Sequence, residues 1–244
     1  LIRAFAGCPS GFQSVNKEQV RIEMGSQCVL VRRATPADAE QAGYLLYLSG
    51  PAPSEAIWGG PANNAIRVWR ELFPIPHHIY SYSHAFVAQR EDQGAAGSSP
   101  EIAGLLLGID SRSWITAQRA MGREIRFKWF TILRPWQFPR LIGAILHMAG
   151  TFDPLAEGDY SIQALAVLPK SRRQGVATRL LESAASFARE KGMQRIVLDV
   201  LIDNEGARRF YEQAGFREVK RITDPGFCRW FGVAGSLRVA KDIV

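Results

Sequence analysis

Apolar and polar positions along the chain fall into short alternating runs and helical faces. Cys28–Arg32 reads as a short strand. Thr35-Pro36-Ala37-Asp38 then has the make-up of a helix start: Thr35 to cap, Pro36 at the first helical position, and Asp38 near the positive end of the dipole. That helix is expected to reach about Ser49 and stop at Gly50-Pro51, and a second is expected over Asn63–Phe73. Tyr80–Gln89 and Glu101–Ile109 read as strands joined by the Gly-, Ala- and Ser-rich loop Glu91–Pro100. Residues 111–150 read as helical, with breaks near Gly122 and from Pro135 to Pro139. The strand Tyr160–Leu168 follows. Helix Arg173–Lys191 carries apolar residues at 176, 177, 180, 181, 184, 187 and 188, one face at helical spacing, with Gly192 as its stop. Strand Gln194–Leu201, helix Asn204–Ala214 and strands Phe216–Ile222 and Phe227–Ala240 complete the pattern. Residues 1–25 lack a period and are expected to be a loose tail before one domain, 26–244. Strands alternate with helices but include hairpins, so the class is α/β with a mixed sheet.

At 244 residues and 47% hydrophobic, the chain can bury a sizeable core. Three widely spaced cysteines, Cys8, Cys28 and Cys228, argue against a disulfide framework and for a reducing compartment, hence a cytoplasmic protein. No apolar run approaches the roughly 20 residues of a membrane span. The first residues, broken by Gly7, Pro9 and Gly11, lack a secretory pattern. The chain opens on Leu1, and Met24 is an alternative first residue. The net charge of +7 is uneven. Between Ser111 and Arg140 lie seven basic residues against the single acid Glu124. Trp114, Phe127, Trp129, Phe130, Trp136 and Phe138 are interleaved with them. Such a pattern suits nucleic acid or an anionic membrane. The plainer expectation is a helical excursion whose aromatics pack on the sheet, whose arginines face water, and which walls a pocket.

The densest chemistry lies in residues 163–216. Leu165-Ala166-Val167-Leu168-Pro169 ends a strand, and Lys170-Ser171-Arg172-Arg173-Gln174-Gly175 turns into the next helix. Free amides from Arg173 to Thr178 at a helix start, with arginines beside them, form a recipe for gripping a diphosphate. Gly175 lets the backbone approach a ligand. Downstream stand Asn204, Ala207, Tyr211 and Gly215-Phe216.

These residues resemble the Gcn5-related N-acetyltransferases (GNAT). That family's acyl-coenzyme A signature is Arg or Gln, two residues, Gly, one residue, then Gly or Ala. It stands here as Arg172-Arg173-Gln174-Gly175-Val176-Ala177, and the Asn204, Tyr211, Gly215-Phe216 block matches the closing helix. The resemblance implies a GNAT-type acyl-CoA N-acyltransferase fold with a helical insertion, 111–158, between the third and fourth strands. It implies acetyl-CoA as co-substrate, no metal, and transfer to a primary amine by direct attack. The backbone of Leu165, Ala166 and Val167 would pair with the pantetheine arm, which requires the strands at 160–168 and 194–201 to splay. Arg172, Arg173, Gln174, Gly175, Val176, Ala177 and Thr178 would hold the diphosphate, and Asn204 the cofactor or the helix start. The Val167 amide would face the oxyanion, and Tyr211 would act as general acid while contacting the cofactor. The strand before the turn has no acid, so Glu157, flanking it with Asp159, is the candidate base. His77, His78 and His84 lack the converging ligands of a zinc site and are expected at a strand edge or acceptor cleft. The expected partners are acetyl-CoA and an amine. Nucleic acid and membrane are not expected, and a homodimer stays open. The alternatives are a non-catalytic acyl-CoA sensor or adaptor, and nucleic-acid binding through Arg119, Arg123 and Arg126.

Overall fold

Eight strands form one sheet in the order β1-β2-β3-β4-β5-β6-β8-β7. They are β1 (Val20–Ile22), β2 (Val29–Arg33), β3 (Ala85–Arg90), β4 (Ile102–Asp110), β5 (Asp159–Val167), β6 (Arg195–Leu201), β7 (Arg217–Ile222) and β8 (Ser236–Asp242). The computed structural model describes residues 20–22, 29–90, 100–124, 129–139, 141–143, 155–223, 228–229 and 231–243. Only β5 and β6 are parallel neighbours; every other adjacent pair is antiparallel. The expected mixed sheet is therefore present. The near-continuous apolar run of β4 is buried from Ile102 to Ile109, because helices cover both faces of this central strand.

On one face α1 (Ala39–Ser49), α2 (Pro51–Trp58) and α3 (Ala62–Leu72) cover the sheet. Leu45, Leu46, Val68 and Leu72 meet Val87, Leu105, Leu107, Ala164 and Ala166 there. Between β4 and β5 come α4 (Ser111–Glu124) and α5 (Trp129–Ile132), with Ile132, Leu133 and Leu141 joining the same core. Asp110 starts α4 by accepting hydrogen bonds from the Ser113 amide and hydroxyl at 2.9 and 2.8 Å. On the other face α6 (Val176–Glu190) and α7 (Glu205–Gln213) are applied. Val176, Leu180, Leu181, Ala184 and Ala188 of α6 pack on Leu106, Ile162 and Leu198. These are the apolar positions that the helical spacing marks.

Several boundaries differ from the sequence pattern for identifiable reasons. α2 follows α1 directly, although Gly50-Pro51 reads as a stop. Pro51 and Pro53 lie in its first turn, where a missing N–H costs no intrahelical bond. β3 begins at Ala85 rather than Tyr80, because side chains turn the preceding segment. The buried His78 ring donates from Nε2 to the Leu72 carbonyl at 3.0 Å and accepts from the Tyr80 amide at Nδ1, 3.1 Å. Ser81 Oγ accepts the Ser83 amide. His78 is thus a neutral structural histidine tying α3 to this turn. α6 begins at Val176, which leaves Arg173–Gly175 in the turn before it, and β8 spans Ser236–Asp242. Val20–Ile22, within the stretch read as a tail, adds an edge strand to β2.

Gly108 is set by close approach. A Cβ there would lie 2.5 Å from the ring of Tyr160, which is wholly buried. Gly108→Ala is expected to destabilise the domain by about 1–3 kcal/mol through overpacking, read as a lower urea midpoint at unchanged slope.

Candidate functional site

β5 and β6 share backbone pairs only from Asp159–Arg195 to Ile162–Leu198. Beyond that point each follows its antiparallel partner. β5 stays with β4 as far as Gly104–Val167, and β6 stays with β8 as far as Leu201–Ser236. The parting begins at Gln163, the extra residue where Gly108 faces Ile162 and Leu107 faces Ala164. A bulge of this kind bends its strand away from one neighbour. Past it, the Leu168 amide donates to Ala103 O at 2.8 Å. By the two-residue period of an antiparallel ladder, Leu165 and Val167 turn their amides to the opposite edge, toward β6. The result is an open wedge lined by backbone donors and acceptors.

The turn at the mouth of the wedge is built by local hydrogen bonds. Ser171, fully buried, sends its amide to Leu168 O and accepts Arg90 Nη2 at its hydroxyl, 3.0 Å. Gln174 Nε2 donates to Lys170 O at 2.9 Å. Lys170 and Arg90 both pair with Glu101. Arg173 and Gly175 both adopt left-handed backbone, φ 59° and 73°. Gly175 is the N-cap of α6, and a Cβ on it would meet nothing within 4 Å, so the space over the turn is open. The first backbone bond into α6 is Arg179 N to Gly175 O. Among the described residues the amides of Arg173–Thr178 have no backbone partner. Left-handed residues between exposed amides make an anion-binding concavity, and the helix dipole and the exposed Arg172 and Arg173 add positive potential. Arg172 Nε also donates to Val167 O at 3.3 Å, closing the turn over the strand end. A diphosphate fits this donor set.

Tyr211 comes from α7 and is buried among Phe210 and Phe216, ring centroids 5.2 and 5.5 Å away. Burial pushes its hydroxyl well above the usual phenol range, so it keeps its proton at neutral pH. Asn204 accepts the Ala207 amide at 3.1 Å and caps α7. Its carbonyl is committed to the helix start.

Glu157 is exposed just before β5, at the end of the strand opposite Leu165 and Val167. The six strand steps from Asp159 to Leu165 alone span about 20 Å, so Glu157 is not brought to the wedge. Asp159 is held by Arg195 at 2.8 Å. The acid that the sequence pattern missed is Glu55 of α2, which accepts the Tyr47 hydroxyl at 2.7 Å. α1 lies over Ala164 and Ala166 of β5. Ala56 and Ile57 of α2 pack with Leu201, Ile222, Phe231 and Val233 at the end of β6. The α1–α2 corner therefore bridges the two parted strands, with Glu55 on it. Taking Gly50-Pro51 as a stop hides this corner; prolines one and three residues past a helix end, both admissible in a first turn, are the signal for it.

His84 lies apart from the wedge, beside Arg33, Asp110 and Tyr160. Burial first, then the Arg33 charge, lowers its pKa to about 4, so the ring is neutral. Among the described residues no group of three His, Cys, Asp or Glu side chains converges as metal ligands would. A cavity of about 370 Å³ opens between the α2–α3 turn and the segment after β4, lined by Gly59, Gly60, Asn64, Arg67, Arg134 and Trp136. No helix among the described residues is long and apolar enough to cross a membrane.

The chain is similar to known proteins in sequence and in fold. The model of the acetyltransferase (GNAT) family matches residues 112–216. N-alpha-acetyltransferase 30 of Schizosaccharomyces pombe is 36% identical over 83 residues, 34% of this chain and 55% of that protein. A probable N-acetyltransferase family 8 member 5 of Mus musculus is 27% identical over 90 residues, 37% of this chain and 40% of that one. The chain spans about half the length of the curated relatives it matches. In fold, it is similar to an N-acetyltransferase from Staphylococcus aureus Mu50, with a TM-score of 0.56 at 17% identity, over 86% of this chain and 99% of that one.

Gly175→Glu is expected to weaken coenzyme A binding by more than about tenfold, ~1.4 kcal/mol, through charge and a left-handed φ that disfavours side chains. Isothermal titration checks it, with Gly175→Ala isolating the conformational part.

Proposed function

We propose that this chain, which matches the GNAT acetyltransferase family model over residues 112–216, is an acetyltransferase of that family and transfers the acetyl group of acetyl-CoA to a primary amine by direct attack. The observation that carries the proposal is the parting of β5 and β6 beyond Ile162 and Leu198, next to the unpaired amides of Arg173–Thr178. The turn suits the diphosphate, and the freed edge of β5 at Leu165–Val167 suits an extended amide-bearing arm. In this proposal the amine nitrogen attacks the thioester carbonyl, and the Val167 amide donates to the oxygen that gains charge. The carbon–sulfur bond breaks, and the leaving sulfur takes a proton from Tyr211. The buried, protonated state of Tyr211 supports that role. In this proposal the proton lost by the attacking amine passes to Glu55, directly or through water; what supports the choice is that Glu55 belongs to the α1–α2 corner, which packs on β5 and on the end of β6. The fission-yeast relative is an N-alpha-acetyltransferase by name, which supports an α-amino group as acceptor. A cytoplasmic location is proposed on the sparse cysteines, Cys228 being free and exposed.

The test is release of free thiol from acetyl-CoA over a panel of peptide N-termini, lysine peptides, polyamines and small amines. Turnover with at least one class supports the proposal. Tight acetyl-CoA binding without transfer to any of them leaves a binding module, and no binding at all ends both readings. Tyr211→Phe is expected to lower kcat by about 10- to 100-fold with little change in acetyl-CoA affinity, the range of one general acid. Unchanged turnover removes Tyr211 from that role. Glu55→Gln is expected to lower kcat/KM about tenfold or more at neutral pH. An unchanged kcat/KM excludes Glu55.

A further inference from the structure

The segment between β4 and β5 leaves and re-enters the sheet at one place, where Asp110 pairs with Tyr160. Away from that place it departs from the expectation that its apolar groups pack on the sheet. Ile132, Leu133 and Leu141 do so, while Ile115, Trp136 and Ile142 are exposed. At its base the departure is of the opposite kind, because polar atoms are buried. Tyr160 Oη and His84 Nε2 are both shut off from solvent, and among the described residues neither has a hydrogen-bond partner. The Tyr160 ring lies across β4 at Gly108, where a Cβ would stand 2.8 Å from the hydroxyl. On the other side of β4, Ala85 of β3 pairs with Leu107, so His84, one residue earlier, comes alongside Gly108. Neighbouring strands lie about 4.8 Å apart. A hydroxyl above one strand and a ring on the extension of the next are separated by about that distance, too far for one hydrogen bond and within the span of two. His84 and Tyr160 both feel the charges of Arg33 and Asp110, which puts them in one neighbourhood.

The surrounding groups decide what fits between them. Arg33 sends Nη2 to the Ser83 carbonyl and stacks over the rings of Phe86 and Phe187 at 4.6 and 4.8 Å. Asp110 accepts from the Ser113 amide and hydroxyl. These two full charges are opposite, so the gap favours neither an anion nor a cation. It is faced by a phenol that keeps its proton and by a neutral imidazole. A small neutral molecule that both donates and accepts suits that pair. We propose that Tyr160 and His84 hold an internal water molecule over Gly108. The hydroxyl donates to the water, and the water completes the link to His84 Nε2 in the direction its tautomer requires. The link ties β3 to β5 across a residue without a side chain, and it fastens the inserted segment where it leaves and returns. The site lies at the end of β5 opposite the wedge, so it can fail without the acyl-transfer reading.

The test combines a sign with a direct view. Tyr160→Phe removes one oxygen and keeps the ring. A hydroxyl bridged to water stabilises the fold, so the full-length variant is expected to melt lower than the native chain, by about 2–4 °C. A hydroxyl left without any partner destabilises it, and its removal raises the melting temperature. An equal or higher melting temperature in the variant overturns the proposal. His84→Leu is expected to cost less in the Tyr160→Phe background than alone, because the first substitution has already broken the link. Strictly additive effects overturn it. A high-resolution crystal structure of the native chain is expected to show one water within about 3 Å of both Tyr160 Oη and His84 Nε2. A direct contact between the two side chains, an empty gap, or a chloride ion recognised by its anomalous signal overturns the proposal. If either variant fails to fold, that crystal structure decides.

Discussion

Two parallel strands cannot both keep their outer antiparallel partners and stay paired with each other past the bulge at Gln163. β5 is held by β4 and β6 by β8, and the slanted parallel bonds between them are the ones given up. Backbone groups freed inside a protein need partners, and a wedge of unpaired amides is costly unless water or a ligand satisfies it. In the proposed reaction the same break supplies the binding edge and the opening toward the acceptor side. Everything proposed for the site depends on this exchange of pairing for exposure.

The other parts of the site are arranged around that break. Past Pro169 the chain must reverse to lay α6 on the sheet, and two left-handed residues in the turn leave its amides facing outward. Ser171 and Gln174 hold the turn from within and Arg90 from the neighbouring strand, so its shape does not depend on a ligand. Above the wedge, α1 rests on β5 while α2 rests on the end of β6. One helical corner thereby spans both walls and carries Glu55. Tyr211 of α7 lies in the core cluster that Val200 joins and that Leu165 and Val167 pack against, with its proton retained by burial.

Much of this was legible from residues alone. The face of α6, the glycine turn before it and the helix bearing Tyr211 all lie within 163–216, where short-range spacing carries the signal. Asn204 as an N-cap is equally local. The misreadings share one cause. Glu157 is adjacent in sequence to β5 but stands at its wrong end, because a strand carries neighbours in sequence steadily apart in space. Glu55 is more than a hundred residues from the turn and lies in a helix that two prolines disguise.

What the sequence by itself determined is the set of periods and turn chemistries: which stretches are helix or strand, which face is apolar, and where amides are left over at a helix start. These depend on residues a few positions apart. Which strands part, where the acid of α2 comes to lie, and which isoleucines and arginines stay in solvent were decided by the tertiary structure alone. Those outcomes are competitions between segments distant in the chain for the same backbone edge and the same core volume, and no local pattern records which of them wins.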